Sequence, residues 1–179
     1  NEKPIKGVLL CINGTGIMYS WLRNEAMHST ESYESLNQLA SEINIGSDGV
    51  LVLPFGNGAE RVLRNQNIGA NIFGINFNNH SRNHIIRAAQ EGIAFTFRYG
   101  IDIMKEMGIA VNTMRAGKAN MFLSDIFTEA VSNSTNSVVE LYNTDGAQGA
   151  ARGAGVGSGI YKSFDEAFVG FKKLKIVEP

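Results

Sequence analysis

Cysteine is almost absent from this chain. Cys11 stands alone among 179 residues, so no internal disulfide can form. That excludes a disulfide-stapled secreted scaffold and fits a reducing compartment, the cytoplasm. Cys11 lies in the apolar run Val8-Leu-Leu-Cys-Ile12 and is expected as a buried, inert thiol rather than a nucleophile. No apolar run approaches the roughly 20 residues of a membrane span. No signal peptide precedes the domain, so no membrane partner is expected. Excess charge is lacking too: 16 Lys and Arg oppose 17 Asp and Glu, a net charge of −1. With no basic block and no basic–aromatic interleave, nucleic acid is not an expected partner. His28, His80 and His84 share no metal spacing with a cysteine or carboxylate. Each is expected on the surface or in a loop, and no metal ligand is assigned.

The common site motifs are missing as well. Gly153, Gly155 and Gly157 have the wrong spacing for a dinucleotide fingerprint, and no apolar strand runs into them. Gly117-Lys118 is followed by Ala119, not Ser or Thr, so no phosphate loop forms there. Gly157-Ser-Gly159 is too short for a nucleophile elbow. No catalytic residue can be named from the chain. Glu60 and Arg61 fall in a long loop, where a functional role and a solvated loop pair are both open.

What is present is a single domain. The chain is 44% hydrophobic, and one of this length buries about 70% of its unfolded surface. It begins with Asn rather than Met, which suggests a piece of a longer chain. Its organising stretch is Val111 to Asn120 with the helix expected from Met121 to about Val131. This reads as strand, tight turn and helix, with Gly117 in the turn and Asn120 as helix N-cap. Phe122, Ile126, Phe127 and Ala130 fall on one helix face. A turn of small residues before a helix N-terminus offers bare N–H groups, and open α/β sheets bind ligands at that end of their strands.

Taken in order, residues 7–12 read as a strand and Asn13–Gly16 as a turn. Helices are expected over Ile17 to His28 and from Ser29 to Ile43, the second with Tyr33, Leu36, Leu39, Ala40 and Ile43 on one face. Val50–Leu53 is a buried strand, Pro54–Gly69 a long loop and Ile72–Phe77 a strand. The longest helix spans Arg82 to Met107 and carries two stripes. One is apolar; the other is small, Ala88, Gly92, Thr96 and Gly100. Glycine in a helix costs about 1 kcal/mol against alanine, so the small stripe implies a closely approaching backbone. Gly108 ends the helix. Val138–Tyr142 is a strand, Asp145–Gly159 a tightly packed helix of small residues, and Phe164–Leu174 a final amphipathic helix.

Several of these stretches together resemble the C-terminal domain of FGGY-family carbohydrate kinases, the group of xylulokinase, glycerol kinase and gluconokinase. Leu53-Pro-Phe-Gly-Asn-Gly-Ala-Glu-Arg61 is similar to the family's Leu-Pro-Tyr…Gly-Glu-Arg loop. Phe73-Gly-Ile75 followed by His84-Ile-Ile-Arg-Ala-Ala-Gln-Glu-Gly92 resembles its signature. Arg115-Ala-Gly-Lys-Ala-Asn120 stands at its adenosine motif, and Asp145-Gly-Ala…Gly149-Ala-Ala151 at the small-residue run that packs behind it. Asn13 to Arg23 is similar to a segment facing the nucleotide. The pattern is nearest to xylulose kinases.

The resemblance implies an α/β, ribonuclease-H-like, actin-type ATPase domain with a mixed sheet and flanking helices. It implies ATP and Mg²⁺ as cofactors and a small sugar as substrate, D-xylulose giving D-xylulose 5-phosphate. The partner would be a missing N-terminal domain of the same chain, and a homodimer is allowed. The family's catalytic aspartate and phosphate loops lie upstream, so this chain would hold the adenosine half of the site and be inactive alone. Carried over by position, the nucleotide contacts are Gly16, Ser20, Ala116, Gly117 and Asn120. The family usually has consecutive glycines where Arg115 and Ala116 stand, and often glutamine at Ser20. The alternative is a non-catalytic member of the same fold that binds a ligand or partner through this face.

Overall fold

The computed structural model of the chain describes residues 7–179. Its axis is α3, Arg82–Glu106, against which elements from both halves of the chain pack. The helix begins where Ser81 accepts from the Asn83 N–H and the His84 ring returns a bond to the Ser81 N–H, a reciprocal cap of both chain directions. It ends at Gly108, whose φ of +80° reverses the backbone. Ile86 and Ala89 enter one core with Met18, Leu22, Leu36, Ala40, Val50 and Val52. One or two turns on, Ile93 and Ala94 enter a second core with Phe127, Val131, Val139 and Leu141.

The first core is closed by α1, Thr15–Trp21, which runs on into a wider helical turn at Leu22–Ala26, and by α2, Tyr33–Ser41. Against α3 also lies a hairpin of β1, Leu51–Phe55, and β2, Gly69–Phe73, paired antiparallel from Leu51–Phe73 to Phe55–Gly69. The second core lies under a mixed sheet in the order β3, β4, β5. Strand β3, Thr113–Gly117, pairs parallel with β4, Val138–Tyr142, and the crossover between them is α4, Asp125–Thr135. Strand β5, Lys173–Val177, returns antiparallel along β4. Before it come α5, Gly146–Gly157, and the short α6, Phe164–Ala167.

The sequence expectation and the structure differ in five places. Residues 7–12 form no strand: a strand needs a ladder partner, and none of the described residues supplies one. Val8 and Leu9 are exposed, while the Leu10 side chain lies against Gly100. The end of the chain is not a helix through Leu174. Gly170 at φ +86° stops it, and the period-2 alternation from Lys173 to Val177 builds β5 instead. The second strand sits earlier than expected, because Gly74 at φ +75° leaves the ladder close to the Gly49 carbonyl. The helix after β3 starts at Asp125, with Ser124 as its N-cap; Asn120 is not the cap but a left-handed residue, φ +52°, opening a short 3₁₀ turn to Leu123. The small-residue helix α5 does form, yet only Gly155 on it is buried, so it is not tightly packed within these residues.

The small stripe of α3 has the expected use. Ala88, Gly92, Thr96 and Gly100 are all buried. A Cβ on Gly92 would stand 2.1 Å from the Val52 carbonyl oxygen of β1. Gly92→Leu should therefore lower stability by about 1–3 kcal/mol, the range for an overpacked core. Gly149→Ala on α5, where a Cβ meets nothing within 4 Å, should instead gain up to about 1 kcal/mol of helix propensity. Denaturant midpoints of the two variants should move in opposite directions; a stabilised Gly92→Leu would contradict the close approach.

Candidate functional site

The His84–Gly92 stretch holds the scaffold of the site rather than its surface. The Arg87 guanidinium donates to Glu91 at 2.8 Å and to the carbonyls of Ile43 at 2.9 Å and Ala40 at 3.4 Å. Glu91 also accepts from the Gly46 N–H and the Ser47 hydroxyl. Both side chains are buried, and between them they bond the end of α2 and the loop that follows it. That loop carries Gly46, Ser47, Asp48 and Gly49 in succession at positive φ, a conformation that needs such support. His84 is not a surface histidine: it is buried, caps α3 and lies 3.3 Å from the Asp48 carboxylate. The solvated-pair reading of Glu60 is likewise overturned. Glu60 is buried and accepts from the Asn13 N–H at 2.8 Å, so it clamps the turn before α1. Arg61 is exposed. Cys11 is half-buried, its thiol 3.4 Å from Asn13 Oδ1.

Gln90 is the deepest polar group of α3 and has no exposed surface. Its amide nitrogen donates to the Tyr19 hydroxyl at 2.9 Å and to Asn37 Oδ1 at 3.0 Å. Its oxygen accepts from the Ser124 hydroxyl at 2.6 Å. The Tyr19 hydroxyl in turn donates to Asn37 Oδ1 at 2.9 Å. Burial pushes the Tyr19 phenol well above the usual tyrosine range, with the Gln90 bond opposing, so it stays a neutral donor. One buried amide thus pins α1, α2 and the start of α4.

Above this network opens a cleft of about 630 Å³, walled by Gly16 and Tyr19 of α1, Tyr33, Glu34 and Asn37 of α2, and Asn120, Met121, Leu123 and Ser124. A narrower groove of about 400 Å³ adjoins it, sharing Gly16, Asn120 and Met121 and adding Ala116, Gly117, Asp145 and Gly146. Four of the five residues expected at the site therefore meet in one groove at the C-terminal end of β3. Ser20 lines neither space; it is half-buried and accepts from Asn24 Nδ2 at 3.1 Å. The two glycines differ. A Cβ on Gly117 would lie 2.2 Å from the Thr144 carbonyl oxygen, so protein packing demands glycine there. A Cβ on Gly16 would meet no protein atom within 4 Å. Arg115 turns to Glu140, 3.1 Å away across β3 and β4, which takes its side chain off the groove. Lys173, Tyr142 and Arg115 hold the Glu140 carboxyl down at about 2.

Sequence reading missed Tyr33, Glu34 and Asn37 as wall residues. The spacing puts Tyr33 on the apolar face of α2, but it is 42% exposed and stacks on Tyr19 with centroids 5.6 Å apart. The available signal was Asn37, a polar residue one turn from Tyr33 on the buried side of the helix. Among the described residues no group of three metal-ligating side chains gathers, and no helix is long and apolar enough to cross a membrane.

Removing the buried amide tests this construction. Gln90→Leu leaves the Ser124 hydroxyl without its acceptor, at about 1–3 kcal/mol for a group left unpaired, and takes one bond each from Tyr19 and Asn37, which keep only their bond to each other. A large drop in the denaturation midpoint is expected, with Tyr19→Phe costing less. Equal, small effects of both would show that the network does not hold the cleft.

Comparison with known proteins places this geometry. Residues 8–156 match the C-terminal domain of the FGGY family of carbohydrate kinases. A xylulose kinase of Bacillus subtilis is 31% identical over 159 residues, which is 84% of this chain and 30% of that protein. Gluconokinases and glycerol kinases also match. The chain spans no more than about a third of the length of such curated relatives. The crystal structure of xylulose kinase from Rhodospirillum rubrum superposes with a TM-score of 0.76 at 24% identity, covering 94% of this chain and 34% of that one. Plasmodium falciparum glycerol kinase with ADP gives 0.73 at 25% identity, covering 93% and 33%. The ribonuclease-H-like, actin-type fold is common to all of them. With its sheet, its α3 signature and its groove accounted for, the chain belongs to the FGGY family of carbohydrate kinases, as a C-terminal domain.

Proposed function

We propose that the protein containing this chain transfers the γ-phosphate of ATP to a sugar hydroxyl, with D-xylulose as the acceptor, and that this domain supplies the adenosine half of the site. The observation that carries the reading is the groove shared by Gly16, Ala116, Gly117 and Asn120. Its floor is small-residue backbone, which lets a flat base and ribose approach closely. Gly16 is left open by the protein, as a ligand surface requires. Ser20 lies one turn beyond Gly16 on α1, on the same helix face. The 630 Å³ and 400 Å³ volumes suit a nucleoside.

ATP, when bound, supplies the transferable phosphoryl group. What this domain contributes is position. Phosphoryl transfer depends on orientation and on stabilising charge at the phosphates. The residues for the second task would come from a preceding domain, together with Mg²⁺ carried by the nucleotide phosphates. Xylulose is preferred over gluconate and glycerol because xylulose kinases recur among the relatives. A cytoplasmic location accords with the lone cysteine.

The test is sugar-dependent ADP release. The full-length protein should turn over with ATP, Mg²⁺ and D-xylulose, more slowly with gluconate or glycerol, while residues 1–179 alone should not. Turnover by this domain alone, or none by the full-length protein with any of the three acceptors, would overturn the reading. Within it, Gly16→Val and Asn120→Asp should each raise KM for ATP several-fold at little change in melting temperature. Asp tolerates the left-handed backbone of Asn120 but replaces an amide donor with a negative charge. Unchanged KM in both variants would place the nucleotide elsewhere.

A further inference from the structure

The larger cleft, about 630 Å³, is lined by two side chains of opposite hydrogen-bonding sense. Asn37 and Glu34 stand three residues apart on α2, hence on one face, and both line the cleft. Asn37 is not free to turn. Its Oδ1 accepts from Tyr19 and from the fully buried Gln90, so the Nδ2 donor is what the amide offers to the cleft. Glu34 is exposed at the rim and offers only acceptor oxygens when ionised. Tyr33, held against Tyr19 on one side, stands beside them with the Arg23 guanidinium 5.0 Å from its ring centroid.

We infer that Asn37 and Glu34 read the nucleobase and select adenine. The inference rests on the kinase reading above. An adenine entering past Asn120 presents an acceptor nitrogen, N7 or N1, next to its N6 amino donor. Asn37 Nδ2 donates to the ring nitrogen and the Glu34 carboxylate accepts from N6. Hypoxanthine and guanine carry a carbonyl oxygen at the position of that amino group. Against Glu34 it sets acceptor opposite acceptor, an unpaired contact that disfavours those bases relative to adenine. Because Gln90 fixes Asn37, the donor is oriented before the base arrives. Neither side chain touches the transferred phosphoryl group, so both are specificity residues and not catalytic ones.

The measurement is kcat/KM of the full-length kinase for ATP and for ITP, which differ at the six-position amino group and the adjacent N1. The wild type should favour ATP by at least tenfold. Glu34→Ala, an exposed position with no packing to lose, should narrow that ratio at least threefold through KM for ATP, with kcat and the sugar KM unchanged. Glu34→Lys should narrow it further or reverse it, since an ammonium donates to the carbonyl of ITP. Asn37→Asp keeps the Oδ1 acceptor for Gln90 but loses the donor, and should weaken both nucleotides. A wild-type ratio near one, or a ratio unmoved by both Glu34 variants in an enzyme that still phosphorylates sugar, would overturn the base readout and leave the kinase reading standing. No sugar-dependent turnover with either nucleotide would overturn both.

Discussion

A buried amide must have all its hydrogen bonds, and Gln90 obtains its own from three separate elements. The requirement is strict because the side chain is wholly shielded from water, where an unpaired polar group costs far more than a paired one gains. Tyr19 on α1, Asn37 on α2 and Ser124 at the head of α4 are its partners, and all three are also walls of the large cleft. The cleft's shape thus follows from the satisfaction of one side chain beneath it. Ser124 has a second duty as N-cap of α4, so the same residue sets where the crossover helix begins and where the cleft ends.

Around this amide α3 does the rest of the positioning. Its small stripe lets β1 approach until the Val52 carbonyl touches Gly92. Its Arg87–Glu91 pair holds a loop of consecutive left-handed residues. A buried ion pair of this kind is weak evidence for stability, since desolvation offsets its attraction. Its value here is geometric: the pair satisfies carbonyls and N–H groups that the loop exposes inward. The signature stretch His84–Gly92 is therefore explained without a ligand. Every polar residue in it bonds to protein, and Gln90 is the one that bonds directly to residues lining the cleft.

Small residues at the groove have two distinct causes. Gly117 is small because the loop between β4 and α5 crosses it at Thr144, and Asp145 and Gly146 reach the groove by that crossing. Gly16 is small with no protein atom to explain it. Ala116 takes the place of a glycine without obstructing the floor, and Arg115 beside it is drawn off by Glu140. The departures from the family pattern at these two positions leave the groove open.

The sequence by itself determined α3 nearly to the residue, the strands at Val50–Leu53 and Val138–Tyr142, the strand–turn–helix order after α3 and the small stripe. These follow from local rules: a 3.6-residue period, glycine at positive φ and short apolar runs between turns. It also carried, through motif order, the family and four of the residues that line the groove. Tertiary structure alone decided the remainder. Whether residues 7–12 are a strand depends on a ladder partner that spacing cannot supply. Whether Lys173–Val177 is helix or strand depends on the free edge of β4, to which it pairs. Spacing alone points to Asn120 as the cap; Gln90 binds Ser124, and the helix starts there. Tyr33, Glu34 and Asn37 became a wall because α2 packs on α3 through Leu36 and Ala40, turning the neighbouring face to the cleft. Hydrophobic periodicity says which side of a helix is buried, but not what stands across from the other side.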